Sequence, residues 1–163
     1  MRNIPHTNPI QFRPMPFAKN NQDIALGLAS DTIEQDIRTV TAKNRILIVE
    51  DNLINQKVAK LFIEKFGYEA DIASNGKEAL AMFNHGYSLI LMDLGLPDLD
   101  GIEITKKIRE QNKHIPIIAC TASGESYRRK CLDAGMDGFI VKPLMIEELK
   151  QILDKFLVVK KTH

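Results

Sequence analysis

From residue 44 onward the chain switches regularly between two hydrophobic patterns. Short apolar runs stand at Ile46–Val49, Ile72–Ala73, Leu89–Met92, Ile117–Ala119 and Phe139–Val141. Between them lie longer stretches whose apolar residues return every three or four positions: Ile54–Phe66, Lys77–Phe83, Ile102–Glu110, Tyr127–Ala134 and Ile146–Phe156. The first set predicts strands, and runs such as ILIV, LILM and PIIA, apolar without alternation, predict strands covered on both faces. The second set predicts amphipathic helices. Strands that alternate with helices need crossover connections, so the sheet is parallel and the fold is α/β. Boundary residues agree. Asn75 with Glu78, and Asp100 with Glu103, are placed to cap helices, and Gly67 sits just past the first one. In such sheets the functional residues gather beyond the carboxyl ends of the strands.

Upstream of residue 43 the pattern is different. Residues 1–22 are rich in Pro, Asn and Gln and predict a poorly ordered tail. Over residues 23–40, Leu26, Ala29, Ile33, Ile37 and Val40 recur at helical spacing, and Asp31 with Glu34 resembles a capping box. A helix is expected there, either laid on the domain or acting as a signalling helix towards something upstream. The expected division is a tail or linker over 1–43, one α/β domain over 44–158, and a short tail over 159–163.

Composition narrows the class of protein. Of 163 residues, 44% are hydrophobic and 26% charged, which suits a soluble globular chain. Lys and Arg number 22 against 21 Asp and Glu, so no overall field favours nucleic acid or an anionic membrane surface. No apolar run approaches the roughly 20 residues that span a bilayer. Pro5, Pro9, Pro14 and Pro16 interrupt the segment where a secretory signal would lie. The two cysteines, Cys120 and Cys131, form no CxxC pair, so neither a disulfide framework nor a zinc site is expected. A reducing, cytoplasmic setting fits.

The strand ends carry the chemistry. The first predicted strand runs into Glu50 and Asp51, the third into Asp93, the fourth into Thr121, and the fifth into Lys142 and Pro143. Each residue has an ordinary explanation alone, as a helix cap, a turn former or a solvated loop lysine. Their joint occurrence on one rim does not. Three crowded carboxylates repel one another and call for a cation. Mg²⁺ suits them, because it takes hard oxygen ligands and bridges to phosphate. An aspartate beside Mg²⁺ can attack phosphorus and form an aspartyl phosphate. A lysine and a hydroxyl on the same rim would meet the charge on the phosphoryl oxygens.

The stretches ILIVEDNLINQKVAK, LILMDLGLPDLDG, IIACTAS and GFIVKP together resemble the receiver domain of bacterial response regulators, and most of all the receivers of hybrid sensor histidine kinases. The resemblance covers roughly residues 44–158. It implies a flavodoxin-like, doubly wound five-stranded sheet in the order 2-1-3-4-5. It implies that Asp93 is the phosphoacceptor, that Asp51 binds Mg²⁺ directly, and that Glu50 holds the metal through water. Gly95 would lend its backbone carbonyl to the metal. Thr121 matches the switch hydroxyl, Phe139 the switch aromatic, and Lys142 the lysine that pairs with the phosphoryl group. Ala122 is small where access to that group is needed, and the Lys142–Pro143 bond would be cis. Gly95 and Ser123 stand at positions linked to dephosphorylation, so the lifetime of the phosphorylated state is left open.

The implied partners are a histidine kinase or histidine phosphotransfer protein as donor and a downstream protein. The implied activity is confined to the chain's own phosphorylation and dephosphorylation. A pseudo-receiver that binds partners without phosphorylation is the alternative. A phosphatase of the haloacid-dehalogenase type would want an aspartate where Gly95 stands. A flavodoxin-like electron carrier would want a hydroxyl- and glycine-rich loop after the first strand. His6, His85, His114 and His163 lack a kinase-like helical context, and no output domain for nucleic acid is expected after residue 158.

Overall fold

Strand β1 (Arg45–Val49) lies inside a parallel sheet, between β2 (Glu69–Ala73) and β3 (Leu89–Asp93). Beyond β3 follow β4 (Ile117–Thr121) and β5 (Gly138–Val141), giving the order β2-β1-β3-β4-β5. Five helices provide the crossovers: α1 (Leu53–Lys65), α2 (Gly76–Met82), α3 (Gly101–Gln111), α4 (Glu125–Asp133) and α5 (Ile146–Phe156). This computed structural model describes residues 45–157. The helix expected over 23–40 and the two expected tails lie outside the described residues.

The sheet divides the core in two. One face of the strands carries Leu47, Val49, Ile90, Met92, Ile117 and Ala119, which pack with Ala79, Phe83, Ile104, Ile108 and Cys131 from α2, α3 and α4. The other face carries Ile46, Ile48, Leu89, Leu91, Ile118 and Ile140, against Ala59, Ile63, Leu149 and Leu153 from α1 and α5. Neighbouring residues of one strand thus enter opposite cores, which is why β3 and β4 are buried throughout and read as unbroken apolar runs. The edge strand β2 alternates polar and apolar residues from Glu69 to Ile72 instead, with Glu69 exposed and Ala70 buried. That alternation hides its first three residues from a search for apolar runs, so the expectation began only at Ile72.

Local chemistry ends the helices. The Asn52 side chain accepts hydrogen bonds from the N–H groups of Ile54 and Asn55, so α1 starts at Leu53. Its far end closes on Gly67, whose φ of +84° suits glycine; the Gly67 and Tyr68 N–H groups reach back to the carbonyls of Glu64 and Ile63. Gly135, at φ +93°, closes α4 in the same way through Leu132 and Cys131. Asn75 caps α2 through the N–H of Glu78, and Asp100 caps α3 through the N–H of Ile102. The starts of these helices are thereby fixed next to the strand ends.

Candidate functional site at the carboxyl rim of the sheet

Because every strand runs the same way, the chain turns into its helices along one rim. β1 delivers Glu50 there and β3 delivers Asp93, each only 6% exposed, while Asp51 stands in solvent. Carboxylate oxygens of the three acids lie within 4.8 Å of one another. Lys142 arrives from the far side of the sheet, where it follows β5. Its Nζ donates to Glu50 Oε2 at 2.6 Å and lies 3.2 Å from Asp93 Oδ2. Burial alone would lower the Lys142 pKa, but the Glu50 hydrogen bond and the Asp93 charge outweigh it and hold the ammonium above its ordinary 10.5. Three carboxylates against one ammonium leave a formal charge of −2 on the rim. The donor set, all hard oxygen on the anionic side, fits a small divalent cation such as Mg²⁺.

The remaining predicted residues occupy distinct places around this cluster. The Gly95 N–H donates to Asp93 Oδ1 at 3.1 Å, which fixes one carboxylate oxygen. Thr121 ends β4, one residue beyond the Asp93–Cys120 register pair, and is buried. Its Oγ1 accepts from the Ser123 N–H at 3.0 Å, and its carbonyl accepts from the Lys142 N–H at 2.8 Å. It does not cap α4, whose N-cap is Gly124. Phe139, on β5, pairs with Ala119 of β4 and is half-buried against the core beneath α2, α3 and α4. Ala122 is exposed beside Thr121, and the Lys142–Pro143 bond is cis, as expected.

Three further residues shape the site without having been singled out. The Asn52 N–H donates to Glu50 Oε1 at 3.1 Å, so the helix cap also orients an acid. Gln56 is buried, and its Nε2 donates to the Glu50 carbonyl at 2.7 Å and to Ser74 Oγ at 3.3 Å. A signal existed for it. Gln56, Ala59 and Ile63 share the buried stripe of α1, and a polar residue on an apolar stripe announces a hydrogen-bonded role. Asp98 accepts from the N–H groups of Gly76 and Lys77, far away in sequence, and nothing local foretells that.

Comparison with known proteins decides the family. A model of the response regulator receiver domain matches residues 46–154. The chain belongs to that family. Receivers are signalling modules of two-component systems, and the relatives of this one include hybrid kinases. It is 38% identical over 133 residues to "Hybrid signal transduction histidine kinase L" of Dictyostelium discoideum, across 76% of the chain and 8% of the relative. The receiver thus spans a small fraction of the curated relative it matches. Among solved structures, it is similar to the receiver domain of a Pseudomonas aeruginosa sensor histidine kinase described with a magnesium ion in its active-site cleft. The identity there is 38%, with 71% of this chain and 98% of that one covered and a TM-score of 0.66. It is also similar to the Saccharomyces cerevisiae receiver of Ssk1, solved together with the histidine phosphotransfer protein Ypd1. That match has 35% identity, 69% and 88% coverage, and a TM-score of 0.65. Among the described residues, no helix is long and apolar enough to cross a membrane.

Proposed function

We propose that this receiver takes a phosphoryl group from a phosphohistidine onto Asp93, with Mg²⁺ held by Asp51, Asp93, the Gly95 carbonyl and, through water, Glu50. The observation that carries the reading is the acid cluster itself, with its formal charge of −2 and a lysine already against the acceptor carboxylate. An Asp93 oxygen forms the new bond to phosphorus as the bond from phosphorus to the histidine nitrogen breaks, and its electron pair stays on the imidazole. Mg²⁺, when bound, offsets the negative charge that gathers on the transferring group. Asp93 needs no general base, since a carboxylate is already a nucleophile at neutral pH. Lys142 is within reach of a phosphoryl oxygen on Asp93, and the Thr121 hydroxyl has a proton to give to another. Movement of Thr121 towards the phosphoryl group would vacate space for Phe139 to turn inward, reshaping the surface formed by α4, β5 and α5.

A donor has to reach Asp93, and the surface beside it suits a protein. At the amino end of α1, Leu53 is 68% exposed and Ile54 71%, and further along the helix Leu61 is 63% exposed. Large apolar side chains in solvent beside a polar site mark a place where a partner docks. A histidine kinase or histidine phosphotransfer protein, as donor, is the proposed occupant, and a downstream protein reads the switched surface in a cytoplasmic setting.

The test is intact mass after incubation with acetyl phosphate, with and without Mg²⁺. The expected result is a Mg²⁺-dependent gain of one phosphoryl group in the wild type and none in Asp93→Asn, whose circular dichroism is unchanged. Labelling of Asp93→Asn would move the acceptor elsewhere. No labelling of folded wild type under any condition would favour a phosphorylation-independent binding module.

A further inference from the structure

The loop that leaves Asp93, residues 94–100, is fastened at two points. At its base the Gly101 N–H donates to the Leu94 carbonyl at 3.3 Å. At its tip, Asp98 reaches across to a different crossover. Its two carboxylate oxygens accept from the N–H groups of Gly76 and Lys77 at 2.8 and 3.1 Å, the first residues of α2. Contact at this point is close: a Cβ on Gly76 would lie 2.7 Å from Ile104 Cδ1 and 3.0 Å from Leu99 Cβ. The loop that bears Gly95 is therefore seated against the start of α2.

The start of α2 is in turn fastened to the loop after β1. Glu78 Oε2 accepts from the Ser74 N–H at 2.7 Å, and Glu78 Oε1 accepts from Asn75 Nδ2 at 3.1 Å. Ser74 Oγ meets Gln56 Nε2, and the same nitrogen holds the carbonyl of Glu50. The Glu50 N–H closes the path by donating to the Ala73 carbonyl at 3.1 Å. A continuous strap thus runs from Glu50 through Gln56 to Ser74, along the backbone that Glu78 braces to Gly76 and Lys77, and from their amides through Asp98 to the Asp93 loop. The middle of the strap, the loop from β2 to α2, contributes no ligand to the proposed metal site.

We propose that Asp98 is a positioning residue for the metal site, holding the Gly95 loop at a fixed separation from Glu50 and Asp51 through the start of α2. The inference rests on the receiver reading above. Its physical basis is that Mg²⁺ demands near-octahedral geometry at short oxygen distances, so ligands on two separate loops bind it well only if those loops are held in register. Partners beyond the ligands themselves commonly set metal affinity by orienting them. Hydrogen bonds from Gly76, and after it Lys77, hold the Asp98 carboxyl below the usual carboxylate range, as expected of an acid engaged by helix-start amides.

Three measurements on the full chain test this, comparing wild type, Asp98→Ala and Asp98→Asn. They are Mg²⁺ affinity by calorimetry, hydrogen exchange at the Gly76 and Lys77 amides, and melting temperature without metal. Asp98→Ala is expected to bind Mg²⁺ about tenfold more weakly, the lower end of what loss of an orienting partner costs, with faster exchange at both amides. Asp98→Asn keeps one acceptor oxygen and is expected to fall between. Mg²⁺ affinity within about twofold of wild type in Asp98→Ala, despite exposed amides, would overturn the strap. So would equal weakening by Ala and Asn, since that would mean only the lost charge matters. Absence of Mg²⁺ binding by the wild type would instead bring down the receiver reading, and this inference with it.

Discussion

Lys142 neutralises part of a crowded anionic site with a single ammonium. Removing it in Lys142→Ala leaves Glu50 and Asp93 close together without their shared cation. A fully buried pair broken this way costs about 3–5 kcal/mol, but the Lys142 stem and head stay partly in water, so about 1–2 kcal/mol is expected in urea unfolding without metal. Added Mg²⁺ should return part of that stability by binding the folded state alone. The pH dependence has a definite sign. The Lys142 pKa is raised above 10.5 in the folded protein, so its contribution is complete below that value and is lost as pH rises past it. Wild type should therefore lose stability relative to Lys142→Ala as pH rises above 10.5 in parallel urea titrations. On the opposite edge of the sheet, Tyr87 donates to Asp71 Oδ2 at 2.9 Å, and Arg45 pairs with the same carboxylate and lies over the Tyr87 ring. Burial, and then the Asp71 hydrogen bond, pushes the Tyr87 phenol up to about 12, so it stays a donor at neutral pH.

At the level of elements, the approach of α3 to β3 places the reactive rim under a steric constraint. A Cβ on Gly101 would stand 2.4 Å from the Asp93 carbonyl oxygen, a backbone atom that cannot swing away. Gly101→Ala gains helix propensity of at most about 1 kcal/mol. It is expected to lose more, about 1–3 kcal/mol net, because α3 must shift away from the strand. Thermal unfolding checks the loss, and an altered Mg²⁺ affinity would show that the shift reaches Asp93. Elements were legible in the sequence to different degrees for identifiable reasons. β1, β3 and β4 are covered on both faces, so their apolar runs showed where they lie within a residue or two. β2, on the edge, concealed itself behind Glu69 and Asp71. α4 buries Cys131 and little else, so its periodicity was faint, and it begins at Glu125 rather than Tyr127. The rim acids and Lys142 were legible because parallel topology places every strand end on one side. Asp98 was not, because its partners belong to a helix whose closeness only the folded chain reveals.

Across the described domain, the sheet separates the acid cluster from the points where the chain enters and leaves. Strands run up to the acid cluster and helices run back down, so the described chain enters and leaves at the opposite pole. At entry, Arg45 is fixed by Asp71, by the ring of Tyr87 and by a hydrogen bond to the His85 carbonyl at 3.2 Å. At exit, Phe156 lies near Gly138, the first residue of β5, and Leu157 is buried. A folded protein joined directly after Leu157, the last described residue, would hang from that pole, away from Asp93. Phosphoryl labelling of a fusion with a fluorescent protein at that point should therefore proceed within about twofold of the unfused rate, since neither access nor orientation at the rim changes. A marked slowing would mean that the fused partner reaches around to the rim. The described domain is in this respect a plug on a lead: joined to the rest of its chain at one end, with the acid rim facing outward at the other, it can be spliced into a longer chain without turning that rim away from whatever comes to meet it.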